Sequence, residues 1–327
     1  MSRIDPQARR GLLLVHDGTA AHDDFKSRRA PSWAQEEDLE PAACRGSQTA
    51  RVDDRFTTMA RLLLGYEELC AACGRQEIFV VVVATLLHAV ALWGSAGVFV
   101  LAERLKLFER YRLPRDAAHL RAEHPSNLAL NKSARQDAVI GTLVIVPVVV
   151  AGVSPLIRYS GMSVCGPLPP ARKWLLDIAL QIVGCDALFY WIHRTLHHPL
   201  LYRTLHKKHH EFRATTIWAS EHFGEVDFVL NVLPGVIPAL LLGAHFAVLM
   251  AFTVIRQWQT VQSHSGYDLP FDPFNRGVFH GGARRHDFHH THNHGCYSDF
   301  LPFWDWLCGT DRKYAEYWQK NCHRAAY

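Results

Sequence analysis

Long stretches without charged side chains constrain this 327-residue chain more than any other feature. Residues 78–102 contain no Asp, Glu, Lys or Arg, and residues 138–157 form a second uncharged run. Residues 174–192 form a third apolar helix, and residues 228–255 are again uncharged. A helix of about 20 apolar residues crosses a hydrocarbon core of about 30 Å. The sequence therefore predicts an all-α integral membrane protein built as a transmembrane helical bundle.

Histidines are concentrated just outside these runs, since 15 of the 21 lie between His193 and His294. Three clusters repeat one spacing, a histidine followed by another three or four positions later, which places both imidazoles on one helix face. Neutral imidazole is the commonest side-chain metal ligand, so the pattern predicts a metal centre. The clusters are His193-Arg-Thr-Leu-His197-His198, His206-Lys-Lys-His209-His210 and His286-Asp-Phe-His289-His290.

The number and type of these residues indicate which metal they bind. About ten candidate histidines are too many for one ion and suit two, and no cysteine belongs to the pattern. A dinuclear centre of nitrogen ligands beside an apolar scaffold indicates iron and O₂ activation. The zinc-protease pattern H-E-x-x-H is absent, and a zinc transporter would carry its ligands inside the apolar runs. A zinc-binding membrane protein without catalysis stays open as an alternative.

The fourth run, residues 228–255, is long for one crossing and short for two. Pro234, Gly235, Pro238 and Gly243 interrupt it. The histidine clusters on either side of it must meet at one site, so the run must return to the membrane face that it left. We therefore expect a shallow re-entrant hairpin.

Basic residues predict the orientation of the bundle. Residues 103–137 contain eight Arg and Lys, and both histidine-rich regions are also basic. The positive-inside rule places all three on the cytosolic face, where the histidines form a helical cap. If residues 78–102 span fully, the N-terminal tail lies across the membrane; if they lie in the interface, the tail is cytosolic. The sequence leaves both possibilities open.

The chain divides into a polar tail at residues 1–77, expected to be partly disordered, and a membrane-embedded domain at residues 78–327. Residues 51–74 have the pattern of an amphipathic helix lying on a membrane. The eight cysteines are scattered and are expected to be reduced thiols; Cys70 and Cys73 form only a lone C-x-x-C. The net charge of +4 and the lack of a nucleic-acid motif argue against a nucleic-acid partner.

Three polar residues within the apolar runs need an explanation. Asp186 lies two helical turns before His193, so we expect it to orient a ligating imidazole without touching the metal. Asp177 is expected to pair with a Lys or Arg at the membrane interface. His88 is expected to be a packed polar residue and not a ligand.

At this point the clusters resemble the boxes H-x-x-x-H, H-x-x-H-H and H-x-x-H-H of the fatty acid hydroxylase / sterol desaturase superfamily of membrane di-iron oxygenases. Within it the sequence looks most like the C-4 methylsterol monooxygenases. The likeness covers roughly residues 78–314. It is carried by Phe189-Tyr190-Trp191-Ile192-His193, Lys207-Lys208-His209-His210-Glu211-Phe212, His264-Ser265-Gly266-Tyr267-Asp268 and Arg285-His286-Asp287-Phe288-His289-His290.

The resemblance implies ten metal ligands. His222 is among them although its surroundings, Ser220-Glu221-His222-Phe223-Gly224-Glu225, depart from the family's Y-A-H-P-x-E by lacking the proline. His198, His245, His280, His292 and His294 are not expected to be ligands. The implied set is His193, His197, His206, His209, His210, His222, His264, His286, His289 and His290.

The resemblance also implies a reaction and partners. The enzyme would use two Fe ions and O₂ to hydroxylate a C–H bond of a sterol-like lipid, with sterol C-4 methyl oxidation as the first expectation. Electrons would come from NAD(P)H through cytochrome b5 or its reductase, at the endoplasmic reticulum membrane. The alternatives are a fatty acyl or sphingolipid hydroxylase, a desaturase, or a cholesterol 25-hydroxylase-like enzyme.

Overall fold

The computed structural model describes residues 65–113, 125–279 and 281–321. Regular structure in these ranges is helical, and the only β pairing there is an isolated bridge between Arg112 and Tyr267. The all-α prediction is therefore confirmed. The longer helices are α1 (Gln76–Arg104), α2 (Pro125–Ile140), α3 (Val146–Val153), α4 (Ala171–Leu196), α5 (Glu225–Leu242), α6 (Phe246–His264), α7 (Ala283–His292), α8 (Phe303–Cys308) and α9 (Arg312–Asn321).

Short helical turns connect these elements. Residues 65–72, at the end of the expected amphipathic helix, are helical, while the rest of that segment and most of the predicted tail lie outside the described residues. The other short elements are Glu109–Tyr111, Gly141–Ile145, Ser154–Leu156, Ile157–Ser160, Pro199–Leu201, Tyr202–His206, His209–Glu211, Ile217–Glu221, Pro273–Asn275 and Gly277–Phe279.

Four helices of the described chain are long and apolar enough to cross a membrane: Gln76–Arg104, Ala129–Ser160, Ala171–Leu196 and Glu225–Leu242. The first three contain the spans that the sequence predicts. The second span is α2 and α3 joined by a π-helical turn at Gly141–Ile145. Large apolar side chains point outward from these helices, as lipid-facing residues do; Leu241, for example, is 82% exposed.

The fourth apolar run folds as a hairpin of two full-length helices, α5 and α6. The expected return to the same face is confirmed, but the expected shallow depth is wrong. Pro234 and Pro238 lie inside α5, and the turn comes at Gly243, whose φ of 56° favours glycine. A Cβ at Gly243 would stand 3.0 Å from the carbonyl oxygen of Ser160, at the far end of the second span. The hairpin therefore crosses the whole bundle.

A disulfide joins Cys70 to Cys165, so the expectation of reduced thiols is wrong for this pair. The two residues are 95 positions apart, which hid the pairing in the sequence. Cys70 precedes α1 and Cys165 follows the second span, so both lie at the end of the bundle opposite His264 on α6. We call that end the disulfide face and the other the histidine face. The free cysteines of the described residues are Cys73, Cys185, Cys296 and Cys308.

Two expectations about polar residues in the spans are confirmed. Asp177 is buried and forms an ion pair with Lys173, with 2.8 Å between Nζ and Oδ2. His88 is buried in α1 and bonds the side chain of Gln257 on α6. Both side chains serve packing between or along helices.

Candidate metal centre

Nine of the ten predicted ligands are brought together at the histidine face. They form two groups, and within each group the ligand nitrogens lie within 4.8 Å of one another. The five-histidine group is His193, His197, His206, His210 and His289. The four-histidine group is His209, His264, His286 and His290.

The second and third boxes each contribute to both groups. The second box gives two histidines to the five-histidine group and one to the four-histidine group, and the third box does the opposite. His206 and His210 enter the five-histidine group, while His209 between them enters the other. In the third box, His286 and His290 enter the four-histidine group and His289 crosses over to the five-histidine group. In α7, His286 and His290 are four residues apart and share a face, whereas His289 enters the other group although it is only three residues after His286. The expectation that each cluster points at one site is therefore wrong for the second and third boxes.

Local backbone structure determines the direction from which the histidines of the first two boxes enter the metal-binding groups. His193 stands in the last turn of α4, and His197 caps its end. The second box begins in a π-helical turn, Tyr202–His206, and continues in the short helix His209–Glu211. Single π turns occur frequently at functional sites because they shift the direction of the following side chains.

Hydrogen bonds fix the tautomer of five of the nine imidazoles. In each, Nδ1 faces an oxygen acceptor and must carry the proton, which leaves Nε2 with a free lone pair. The pairs are His193 with Tyr297 O (2.9 Å), His206 with Asp227 Oδ2 (2.8 Å), His264 with Thr260 O (2.7 Å), His289 with Gly295 O (2.7 Å) and His290 with Phe212 O (2.9 Å).

The inward nitrogens fit a cation in each group. The Nε2 atoms of His206 and His210 are 3.2 Å apart, and those of His264 and His286 are 2.8 Å apart. His193 Nε2 and His197 Nε2 are buried and have no hydrogen-bond partner among the described residues. Converging lone pairs repel each other unless a positive ion lies between them, so the donor chemistry suits bound metal ions.

Electrostatics keep the ligands in the form that binds metal. Burial, with the neighbouring imidazoles as a further cause, lowers the pKa of five histidines well below the ordinary value. Neutral imidazole is the ligating form, so these side chains need not lose a proton at physiological pH. The five are His209, His210, His286, His289 and His290.

His222 is not in either group, and the expectation that it is a ligand is not supported by its contacts. Its Nδ1 lies 2.7 Å from Asp137 Oδ2, and its Nε2 lies 3.1 Å from Glu211 Oε2. An imidazole that donates from both nitrogens has no lone pair for a metal ion. Lys208 also bonds Asp137, so the buried His222 belongs to a polar cluster between α2 and the second box whose other members are partly exposed.

Asp186 does not contact an imidazole, so its expected role is corrected. Its Oδ1 accepts hydrogen bonds from three consecutive backbone amides, those of Asp299, Phe300 and Leu301, at 2.8–3.0 Å. The carboxylate therefore holds the loop that contains Tyr297, whose carbonyl oxygen bonds His193. Its effect on the metal centre passes through that loop.

The histidines that were not expected to be ligands are outside both groups wherever the structure describes them. His198 and His245 accept bonds from the backbone at the starts of Pro199–Leu201 and α6. His292 bonds the Phe288 carbonyl and stacks on its ring. His280 lies outside the described residues.

The structure adds positioning residues that the sequence did not reveal. Asp227 supports His206, and its signal was weak because it lies one residue before the uncharged fourth run. Tyr297 and Gly295 act through backbone carbonyls, which carry no side-chain signature. Arg256 on α6 is mostly buried between α5 and the loop at Asp299, and it lines two cavities next to the histidines.

Two adjoining cavities lead to the histidines. The long cavity, about 110 Å³, lies among α1, α3, α5 and α6 and is lined mainly by apolar side chains. The small cavity, about 30 Å³, is lined by His193, His206, His209, His264 and His286 among others. The residues common to both linings are Phe223, Asn231, Arg256 and Thr260. The long cavity therefore ends at the histidine groups.

Apolar spanning helices that end at two buried imidazole groups, beside an apolar cavity, define a membrane oxidoreductase with a histidine-rich metal centre. Residues 178–310 match the model of the fatty acid hydroxylase family. The very-long-chain aldehyde decarbonylase GL1-11 of Oryza sativa subsp. indica is 30% identical over 236 residues, or 71% of this chain and 86% of the relative. The chain therefore belongs to the fatty acid hydroxylase family, a family of non-haem iron enzymes, as the histidine boxes predicted.

Other relatives are more similar over a shorter stretch. Methylsterol monooxygenase 1 of Rattus norvegicus is 36% identical over 152 residues, which are 45% of this chain and 52% of the relative. Methylsterol monooxygenase 1 of Gallus gallus is 34% identical over 153 residues, 46% of this chain and 51% of the relative. The matched part thus spans about half the length of these two relatives. No solved structure shows a significant match.

Proposed function

We propose that the protein is an O₂-dependent monooxygenase that hydroxylates a methyl group at C-4 of a sterol. The observation that carries this proposal is the long apolar cavity that ends at two groups of inward-facing imidazoles. One oxygen atom would enter the C–H bond, and the other would leave as water with two electrons and two protons from a donor. The shared stretches with methylsterol monooxygenases favour the sterol substrate.

The nine grouped histidines would hold two iron ions, and His222 is not included. Bound iron would supply the oxidising power for an unreactive C–H bond, which acid–base side chains cannot break. The chain's own part is to fix that centre and to keep water away from it. Tyr297 O and Asp227 orient His193 and His206, and Phe223 stacks on His209 at the boundary of the two cavities.

The shape of a sterol agrees with the position of the centre. Its fused rings are rigid and flat, and C-4 is bonded to the carbon that carries the 3-hydroxyl. An enzyme that oxidises the C-4 methyl group must therefore hold its metal ions near the polar surface of the membrane. Both groups lie at the histidine face, where α4 and α6 end.

We further propose that the histidine face is cytosolic, in the endoplasmic reticulum membrane. Basic residues lie on that face, as the positive-inside rule requires of a cytosolic face. The disulfide lies at the opposite end, and disulfides persist in oxidising compartments such as the lumen of the endoplasmic reticulum. Electrons would come from NAD(P)H through cytochrome b5 or its reductase, because the sequence has no flavin or nucleotide fingerprint.

A second candidate substrate is a very-long-chain aldehyde. The observation that favours this substrate is the length of the sequence match, which extends over 86% of the rice decarbonylase. An aldehyde with a long chain also has one polar end and one apolar end, so the cavity alone does not separate it from a sterol.

The test is expression in a yeast strain that lacks sterol C-4 demethylation, followed by sterol and lipid profiling. We expect 4,4-dimethylsterols to be consumed and, when decarboxylation at C-3/C-4 is also blocked, 4-carboxysterols to accumulate. The His289→Ala variant serves as the inactive control. Unchanged 4,4-dimethylsterols with accumulation of a hydroxylated fatty acid, a 25-hydroxysterol or an alkane would reject the C-4 assignment.

A further inference from the structure

The long cavity is apolar over most of its length and polar at the end near the histidines. Its lining along α6 runs from Phe246 to Thr260, which corresponds to about 21 Å at 1.5 Å per residue. The end at the disulfide face is bounded by side chains such as Met162 and Leu249. The lining therefore changes from apolar at the disulfide face to polar near the histidines, as expected for a ligand with one polar and one apolar end.

A mostly buried guanidinium stands where the long cavity meets the small one. Arg256 Nη2 donates to Asn231 Oδ1 at 3.0 Å, and Arg256 Nε lies 3.5 Å from Asp299 Oδ2. The Cys185 thiol is a further partner of the same guanidinium. A guanidinium carries five N–H donors, more than these three side chains take up, and buried donors that lack acceptors are costly. An acceptor oxygen on a ligand would therefore be stabilised here.

The fold leaves space beside this guanidinium. Gly235 on α5 faces it, and a Cβ at that position would stand 3.5 Å from Arg256 Nη1. A longer side chain at position 235 would occupy the volume next to Nη1. Glu221, which lines the same end, is buried, and burial raises its pKa to about 8.

We propose that Arg256 and Asn231 bind the oxygen-bearing end of the substrate at the junction of the two cavities. The apolar end then points along α6 toward the disulfide face. The carbon presented to the histidine groups is consequently one close to the polar end of the lipid, and carbons at the far end of the chain stay about 20 Å away. This inference rests on the proposed function only in taking the long cavity as the substrate site.

This orientation agrees with the position of a lipid in the cytosolic leaflet. Such a lipid already has its polar end at the histidine face and its apolar end toward the middle of the bilayer. It would enter sideways without turning over. A substrate oxidised at its apolar end would have to bury its polar group against Met162, Phe246 and Leu249, which is unfavourable because these side chains offer it no hydrogen bond.

The experiment uses photocrosslinking to the purified full-length protein in lipid nanodiscs. One sterol probe carries a diazirine at the end of its side chain, and the other carries it in ring B. We expect the side-chain probe to label peptides containing Met162, Phe246 or Leu249, and the ring probe to label peptides containing Phe223 or Asn231. Binding is read by mass spectrometry, so it does not require turnover.

A second set of measurements tests Arg256 and Asn231 by removing from the probe the oxygen that they are proposed to bind. A 3-deoxy version of the ring probe should label the wild-type cavity at least about tenfold more weakly, the effect of about 1.4 kcal/mol of lost binding. In Asn231→Leu this preference should fall below about threefold, because one polar group is gone and Arg256 loses its anchor. Thr253→Val is the matched control, since Thr253 lines the same cavity but its hydroxyl already donates to the Leu249 carbonyl.

The outcomes separate this inference from the proposed reaction. Reversed labelling, no labelling of the cavity, or equal labelling by the hydroxyl and deoxy probes would overturn the inference even if yeast sterols are oxidised. Labelling in the expected orientation by a protein that leaves yeast sterols unchanged would support the inference and reject the C-4 reaction. A purely structural role of Arg256 through Asp299 predicts that Asn231→Leu leaves the preference for the hydroxyl probe unchanged.

Discussion

The five-histidine and four-histidine groups are built from the same boxes but are supported differently. The five-histidine group draws on all three boxes, and one of its members, His206, donates to the buried carboxylate of Asp227. In the four-histidine group the fixed imidazoles, His264 and His290, donate to the backbone carbonyls of Thr260 and Phe212, and Ser263 Oγ also lies 3.3 Å from His264 Nδ1. A carboxylate partner makes an imidazole a stronger ligand than a carbonyl does.

The difference indicates a division of roles between the groups. More donors and a carboxylate partner should make the five-histidine group the tighter metal site. Four donors leave more of an ion's coordination sphere for other ligands, and three of the four-histidine members, His209, His264 and His286, line the small cavity. We therefore expect the four-histidine group to be the more exchangeable site and the one more open to the substrate.

The largest effects are expected from His289→Ala and His290→Ala, which remove neighbouring residues from different groups. Both variants should lose activity by more than about 100-fold, since a lost ligand should cost at least as much as a lost partner of a ligand. His290→Ala leaves three donors and should retain less iron per chain than His289→Ala, which leaves four. Iron content by mass spectrometry and product formation are the measurements.

His292→Ala is the control for this pair, because His292 lies outside both groups; it bonds the Phe288 carbonyl and packs against the rings of Phe288 and Tyr317. Its activity and iron content should match those of the wild type. Full activity in either ligand variant would contradict the assignment, and equal iron loss in both would remove the difference between the groups.

A smaller effect is expected from Asp227→Asn, which keeps the shape of the side chain but removes its charge. Metal affinity of the five-histidine group should fall by about 10–100-fold, as is common for partners of metal ligands. In a chelator titration, the wild type should release its iron in two steps, the five-histidine group at the higher chelator concentration. In the variant the chelator concentrations of the two steps should be closer to each other. Glu225→Gln, an exposed acid in the same first turn of α5, should leave both steps in place.

The smallest effect on the centre is expected from His222→Asn. Iron content should be unchanged and activity should stay within about threefold, while the free energy of unfolding should fall by about 1–3 kcal/mol as the bonds to Asp137 and Glu211 are lost. Iron analysis and denaturant unfolding would measure these changes. Loss of one iron per chain would restore His222 as a ligand and invalidate the division into five and four.

The sequence predicted the spans well where apolar character is continuous, as in α1 and α4. It underestimated the depth of the α5–α6 hairpin because the uncharged run ends at Ile255, while α6 continues to His264 through polar residues: Gln257, Gln259 and Gln262 are buried in it beside Arg256. Their amides bond His88 on α1, the Asp299 carbonyl and the side chain of Asn275, so tertiary hydrogen bonds that hydropathy does not register account for their burial. Of the four residues that interrupt the run, Gly243 marks the turn, whereas Pro234 and Pro238 lie inside α5, where Pro238 packs against Gly184.

The candidate site was predictable to the extent that side chains at fixed spacing define it. The structure gathers nine of the ten proposed histidines, and their role as ligands stays a prediction. His222 could not be judged from sequence, because Asp137, which occupies one of its nitrogens, lies 85 residues earlier. The assignment of neighbouring histidines to separate groups also depends on how the second and third boxes approach each other.

The composition of α6 has a consequence for biosynthesis. An arginine at the centre of a helix costs about 2.5–3.5 kcal/mol on insertion, and three glutamines add to that cost, so α6 is a poor candidate for entering lipid by itself. It can be accepted as the second half of a hairpin with α5, whose Asn231 is already in place to meet Arg256. The other partner, Asp299, is synthesised 43 residues after Arg256. Stable insertion of the last membrane helix should therefore wait for translation of the segment that completes the catalytic cap, so that chains released early are left with an unanchored helix available to cellular quality control.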